Sequence, residues 1–337
     1  MRSLLITFDY PPDVGGMAAY YEMIIARSFE VTALHFKKTK ARMGWLSYIP
    51  LVLRRKKTFE KLLVGNIIPL GYVAVIFRVF FFTTYAVYLH GKDVLNQLSL
   101  WKRLWIWVIL ALASEVYANS RYTAERVSKE YRIPRDKIIV EYPRVDVVKI
   151  ERAGTSVSKT KKNADFALLS VGRLIARKGF DTVIKALSIL LRKNKSLSIS
   201  YWIIGDGVDS ARLRSMAKEY NIEHIMRFFG EVTELEIYGY YSACDCFIMP
   251  SRDISGDVEG FGIVFLEAAA LKKPVIGGQS GGIPEAVEDN VTGLLVDPMD
   301  PKATACAIET LISDPSLAKK MGESGYERVK EKFNYTK

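Results

Sequence analysis

Twice in this chain a short, mostly apolar run ends in glycine and gives way to a helical pattern, and that recurrence restricts the fold more than any other feature. Residues 4–8 lead through Asp9 to Gly15 and Gly16 and then into an apolar-periodic stretch at 18–28. Residues 166–171 lead in the same way to Gly172, Arg173, Lys178 and Gly179, followed by a second such stretch. A strand this short and this apolar has no wet face, so it belongs in a parallel sheet covered by helices on both sides. Glycine at its end permits a tight turn, and the open N–H groups of the helix that follows attract an anion such as a phosphate. Further apolar runs at 31–35, 59–64, 85–89, 116–118 and 138–141 follow the first glycine loop. Runs at 198–204, 226–229, 246–251 and 274–277 follow the second. The expectation is an α/β protein of two Rossmann-like domains with a cleft between them, over residues 1–150 and 164–337. Between 147 and 164 polar and basic residues replace the apolar pattern, and 151–163 reads as the linker.

Composition excludes several classes. With 49% hydrophobic and 25% charged residues, the 337-residue chain is neither disordered nor low in complexity. Its three cysteines, Cys244, Cys246 and Cys306, have no histidine or second cysteine pair at ligand spacing, which argues against zinc or a disulfide framework. All three are expected in the core of a protein kept in a reducing compartment. Residues 1–8 read as a strand and not as a secretion signal. The long low-charge run 62–89 is broken by Gly65, Asn66, Pro69 and Gly71, so it reads as a buried strand–helix–strand unit and not as a membrane span.

The net charge of +11 sits entirely in the first half. Residues 1–150 hold 23 Lys and Arg against 12 Asp and Glu, whereas residues 151–337 hold 25 of each. The densest cations are Lys37, Lys38, Lys40 and Arg42, then Arg54, Arg55, Lys56 and Lys57, with Trp45, Tyr48 and residues 51–53 between them. Cations flanking aromatic and branched residues suit an interfacial segment on anionic lipid. Nucleic acid is not expected, because no reader motif accompanies the charge. The expected placement is cytoplasmic, peripheral on the inner face of the cell membrane.

The chemistry concentrates at 257–287. Glu259 and Glu267 bracket a turn of Gly260, Phe261, Gly262 and Ile263, after which a helix begins. A strand at 274–277 and a second loop of Ser280, Gly281 and Gly282 follow. Turn amides and a helix N-terminus attract phosphate, one carboxylate ahead of them can accept sugar hydroxyls, and one further along can grip a ribose. Together these residues resemble the Glu-x7-Glu signature of retaining glycosyltransferases of family 4, which have the GT-B fold, and the segment is most similar to the phosphatidylinositol mannosyltransferase branch. The resemblance extends over nearly the full chain.

That resemblance implies a metal-independent retaining hexosyltransferase without a cofactor, with an acceptor-binding first domain and a nucleotide-sugar-binding second domain. Its donor is GDP-mannose or a UDP-sugar, and its acceptor a lipid or lipid-linked glycan at an anionic membrane surface. Arg173 and Lys178, with Gly15 and Gly16, match the donor diphosphate site. Glu259, Phe261, Gly262 and Ile263 match the donor-sugar site, Glu267 the ribose site, and Val232 with Glu234 the region that cups the base. His90, followed by Gly91 and Asp93, matches the histidine that contacts the sugar near its reacting carbon. Retention in such enzymes is attributed to front-face attack, the leaving phosphate taking the acceptor's proton, which makes Glu259 a sugar ligand and not a nucleophile. The aromatic-anchored helix that usually ends such chains would start about Phe333 and Tyr335, where this sequence stops. Ser120 reads as a helix cap, and His35 and His224 as structural. Two alternatives remain: a UDP-sugar enzyme acting on a soluble or polysaccharide acceptor, and a non-catalytic nucleotide-sugar-binding GT-B module. Retention of every matching residue speaks against the second, and a pyridoxal phosphate phosphorylase of this fold would be far larger.

Overall fold

The computed structural model describes residues 2–11, 15–28, 30–37, 44–91, 94, 99–156 and 164–335. Lys38, Lys40 and Arg42, three of the expected membrane cations, and Asp93 lie outside them. The chain divides into two compact units, the first made of Met1–Pro143 and Ser255–Phe261, the second of Arg144–Ile254 and Gly262–Thr336.

In the first unit the elements run β1 (Ser3–Thr7), α1 (Gly16–Ala26), β2 (Val31–His35), α2 (Tyr48–Leu53), β3 (Lys61–Val64), α3 (Ile67–Phe81), β4 (Thr84–Leu89), α4 (Leu100–Leu112), β5 (Glu115–Ala118), α5 (Arg121–Tyr131) and β6 (Ile138–Val140). The strands form one parallel sheet in the order β2-β1-β3-β4-β5-β6. Strands β1, β3 and β4 are almost wholly buried, as their apolar centres demand. Only the step from β1 to β2 runs toward one edge, and every later step runs toward the other. Right-handed crossovers therefore set α1 on one face of the sheet and α2, α3 and α4 side by side on the opposite face. The strand order reverses between β1 and β3, and in open α/β sheets ligands bind at the strand C-termini beside such a reversal.

The second unit contains α6 (Val147–Ser156), β7 (Phe166–Val171), α7 (Phe180–Lys193), β8 (Ile199–Ile204), α8 (Ser210–Glu219), β9 (Met226–Gly230), α9 (Glu234–Ala243), β10 (Cys246–Met249), α10 (Ile263–Ala270), β11 (Val275–Gly278), α11 (Ile283–Ala286), β12 (Gly293–Val296), α12 (Pro301–Ser313) and α13 (Pro315–Arg328). Its sheet is again parallel, in the order β12-β11-β10-β7-β8-β9, and its reversal lies between β7 and β10.

The first unit's leading stretch ends at Pro143, and residues 147–156 form α6. Val147, Ile150 and Ala153 fall three apart and are all buried, giving α6 one apolar stripe despite its polar majority. One expectation needs correction: of the three cysteines expected in the core, Cys244 and Cys246 are buried, but Cys306 is exposed. Helix α12 buries Thr304, Ala305, Ile308 and Leu311, and position 306 points away from that stripe.

Candidate functional site

At the strand reversal of the first unit, three polar side chains lock two loops together. Asn66, just past β3, accepts the N–H of Phe8 at 2.8 Å and the Thr7 hydroxyl at 3.0 Å through Oδ1. Its Nδ2 donates to Asp9 Oδ2 at 2.8 Å, which fixes the Asp9 carboxylate at the end of β1. Gly15 follows with φ 146, a conformation open to glycine, and a Cβ there would meet nothing within 4 Å. Backbone shape and not crowding thus calls for the glycine. Helix α1 has no side-chain cap, so the amides about Gly16 carry the positive end of the helix.

His90 ends β4, its ring edge-on to Tyr20 at 4.9 Å and to Tyr21 at 5.3 Å. Its Nε2 lies 2.6 Å from Tyr21 Oη. The Tyr21 hydroxyl donates to the Gly65 carbonyl, so the hydrogen-bond network assigns the imidazole proton to Nε2 and leaves Nδ1 as an acceptor. Burial pulls the His90 pKa down to about 4 against the opposing charge of Asp9, and the ring is neutral near pH 7.

Glu259 reaches the same place through its neighbour. A Cβ on Gly260 would stand 2.6 Å from the His90 carbonyl oxygen and 2.7 Å from Asn119 Nδ2, so only glycine lets residues 259–260 lie against the end of β4. Val258 is buried in the first unit's core, and Phe261 is buried with its ring 5.6 Å from Tyr142. The Phe261 side chain is therefore committed to packing. Gly262, at φ 92, is the N-cap of α10, and Ile263 is its first, partly exposed residue. Ser120 caps α5 by accepting the Thr123 N–H at 3.0 Å.

In the second unit Gly172, at φ 154, turns the chain out of β7. Lys178 Nζ sits 3.8 Å from the place a Gly172 Cβ would occupy, so the ammonium lies over the glycine turn, while Arg173 is exposed beside it. Gly179 starts α7 with its Cα against the Pro250 carbonyl, an approach that forbids a side chain. Arg177 turns inward. Arg252 grips both oxygens of Asp181 at 3.0 and 2.9 Å and Thr182 at 3.2 Å, closing the first turn of α7.

Glu267 lies one turn into α10 and accepts from Tyr241 Oη at 3.1 Å. Burial raises its pKa to about 7; Tyr241 pulls it down and the charge of Glu234 pushes it up. Glu234 itself accepts from Tyr238 at 2.6 Å and from Lys149 of α6 at 2.9 Å. Burial favours its neutral form, but the hydrogen bonds from Tyr238 and Lys149 outweigh that and hold its pKa low. Glu234, expected near the base, is thus engaged with Lys149 and stands in the field of Glu267. Val232 is partly buried just ahead of Thr233, which forms a capping box with Glu236.

Part of the basic segment turns inward. Tyr48 is buried and donates to the Lys37 carbonyl at 2.9 Å, Val52 is buried, and Trp45 packs 5.2 Å from Tyr72. Arg54, Arg55 and Lys57 are exposed and Lys56 is partly buried over Phe59. The aromatics turn inward, while Leu46, Leu51 and Leu53 stay exposed beside the cations, so this segment presents apolar side chains to solvent as well as to the core. Among the described residues, no cluster of His, Cys, Asp or Glu converges to hold a metal, and no helix is long and apolar enough to cross a membrane.

Which side chains sequence reasoning missed follows from distance along the chain. Tyr21 meets His90 across 69 residues, Asn66 meets Asp9 across 57, and Tyr241 meets Glu267 across 26. No local pattern announces such pairs.

Residues 154–328 match the family described as glycosyl transferases group 1. A GDP-mannose-dependent α-(1-6)-phosphatidylinositol monomannoside mannosyltransferase of Mycolicibacterium smegmatis is 28% identical over 354 residues, covering 96% of this chain and 92% of that protein. A GDP-mannose-dependent monoacylated α-(1-6)-phosphatidylinositol monomannoside mannosyltransferase of Corynebacterium glutamicum is 26% identical over 367 residues, 99% of this chain and 94% of that one. Among solved structures, Anabaena HepE in complex with UDP and glucose superposes with a TM-score of 0.80 at 18% identity, covering 99% of this chain and 96% of HepE. Sucrose-phosphate synthase of Thermosynechococcus elongatus gives 0.79 at 20% identity, covering 99% and 95%. Those two likenesses concern the fold, which is GT-B. The family match spans more than half of the sequence, so the chain belongs to the glycosyl transferases of group 1 and is a glycosyltransferase.

Proposed function

We propose that this glycosyltransferase moves mannose from GDP-mannose, with retention, to a lipid or lipid-linked glycan, and works as a peripheral protein on the cytoplasmic face of an anionic membrane. The observation that carries the chemistry is the contact of Gly260 with the His90 carbonyl, which sets Glu259 and a neutral histidine together on the first unit. In this reading the second unit holds the donor. Arg173 and Lys178 pair with the diphosphate, the α10 amides beyond Gly262 assist them, and Glu267 accepts the ribose hydroxyls through the oxygen that Tyr241 does not use. Val232 and its neighbours border the base. The first unit takes the acceptor; its Gly15 and Gly16 amides suit a phosphate, and His90 and Glu259 suit sugar hydroxyls.

The bond from the sugar's anomeric carbon to the diphosphate oxygen breaks as the acceptor hydroxyl oxygen forms its bond on the same face. The acceptor proton passes to the departing phosphate oxygen, and the cations of the second unit stabilise the charge that develops there. The neutral His90 is an uncharged hydrogen-bonding partner for the sugar. Mannose and a lipid acceptor are supported by the names of the two mannosyltransferases similar over nearly the whole chain. A thermal-shift comparison of GDP, GDP-mannose, UDP and UDP-glucose tests the donor: stabilisation by the GDP pair is expected. Stabilisation by UDP and not GDP would overturn it.

A further inference from the structure

The exposed phenylalanine and tryptophan side chains among the described residues fall on one layer of the first unit. Among the described residues, the strongly exposed ones include Phe82 at 83%, Trp101 at 73% and Phe80 at 72%, with Trp105 and Trp107 following on α4. Helix α4 already buries Ile106, Ile109 and Leu110 against the sheet side, yet its outward face is just as apolar and its only charged residues are Lys102 and Arg103. The fold uses one apolar face of such a helix; a second, facing solvent, marks an interaction surface.

The patch is continuous across the layer. Trp45 ahead of α2 contacts Tyr72 of α3 at 5.2 Å, and Tyr72 contacts Trp105 of α4 at 5.3 Å. The approach of α3 to α4 is close, since a Cβ on Gly71 would come 2.7 Å from Ile109 Cδ1. Charge decides what can cover it. From residue 31 to residue 114 there are 13 Lys and Arg against two acidic residues, Glu60 and Asp93. Exposed cations border the apolar face on every helix of the layer: Arg54, Arg55 and Lys57 after α2, Arg78 before Phe80, and Lys102 beside Trp101. Two copies of such a face would meet with like charges opposed. An anionic bilayer supplies both what the cations and what the tryptophans require, because indole rings favour the headgroup level and cations the phosphate plane.

From this we infer that the outward face of α4 and the end of α3 insert into an anionic lipid surface, with the cations after α2 adding electrostatic attraction. The inference rests on the membrane-borne acceptor proposed above, and it adds 80–82 and 100–107 to the exposed apolar residues of the segment read from the sequence, Leu46, Leu51 and Leu53.

Full-length protein with phosphatidylcholine vesicles, with and without phosphatidylglycerol, tests it by sedimentation and by quenching of tryptophan fluorescence with brominated lipid. Wild-type protein should bind the anionic vesicles and be quenched there. The Trp101→Ser/Phe82→Ser variant, altered only at exposed positions, should lose roughly tenfold or more of the partitioning. Binding unchanged in that variant, without quenching in wild type, would overturn insertion while leaving a charge-held membrane protein. Absence of wild-type binding to either vesicle would overturn both insertion and the membrane-borne acceptor, and GDP affinity by calorimetry would still judge the donor reading separately. Self-association that the double variant abolishes would overturn the lipid as occupant in favour of a second copy.

Discussion

The two units share one architecture, a six-stranded parallel sheet between helices, and differ in almost everything their surfaces offer. From residue 151 onward the sequence is charge-balanced, and the second unit's helices α9, α12 and α13 are closed by side-chain caps from Thr233, Asp300 and Asp314. Its loops at the strand reversal are drawn tight, with Gly179 against Pro250 and Gly205 against Gly172. In the first unit α5 has such a cap from Ser120 and α1 to α4 have none, as is also true of α7, α8, α10 and α11 in the second. What separates the units is that residues 1–150 carry all of the net charge and the exposed tryptophans lie on α4. A sheet that reverses once gives either unit a place for a ligand, and the helices laid over it give the first unit a surface that the second lacks. The same framework serves both ends.

If the division of labour holds, substitutions should sort by unit. Glu259→Gln should give the largest effect, lowering turnover at least about a hundredfold while GDP affinity stays at the wild-type value. Equal loss of GDP affinity would break the comparison. Next in size, Arg173→Ala or Lys178→Ala should each weaken GDP binding by about 1.5–3 kcal/mol, roughly ten- to a hundredfold, by calorimetry. Arg55→Ala, at an exposed site of the first unit, should leave that affinity alone.

A smaller effect distinguishes the buried carboxylate of the second unit from the buried imidazole of the first. Glu267 has a folded pKa raised to about 7, so the stability linked to its proton is present at pH 4 and is lost as pH rises through 7. Glu267→Gln should therefore gain about 2 kcal/mol over wild type at pH 8, after allowance for its partial exposure, and little at pH 4, in chemical denaturation. His90 runs the other way. Its folded pKa of about 4 means that stability is full above pH 6.5 and falls as the pH drops toward 4, and turnover should show no step near 6.5 from this residue. Smallest is Tyr241→Phe, which removes one hydrogen bond to Glu267 and should weaken GDP by about 1 kcal/mol, more at pH 6 than at pH 8, since the tyrosine favours the ionised carboxylate.

The strands were legible because a short, uninterrupted apolar run has few homes other than a doubly covered sheet. The two glycine loops were legible for the same reason, each standing at the end of such a run. Helix α6 was hidden because Lys149, Glu151, Arg152 and Thr155 dilute a stripe of only three apolar residues. The setting of His90 was hidden because Tyr21 and Asn66 come from other crossings of the sheet. In the case of α4 the signal was present, and the sequence reading made nothing of it. An apolar residue is ordinarily assigned to the core, and only a helix apolar on every side, with charge confined to Lys102 and Arg103, shows that the core cannot take them all.

The segment Ser255–Phe261 belongs to the second half in the order of the gene and to the first half in space. A first unit expressed as residues 1–143 would lack Val258, a piece of its own core, and Glu259 with it. Halves exchanged between relatives would therefore keep their sheets yet separate Gly260 from the His90 and Asn119 backbone and side-chain atoms it was selected to fit. Seven residues thus bind the inheritance of the two halves together, and recombination at the obvious boundary would assemble chimaeras whose first unit folds around another protein's strand-end contact.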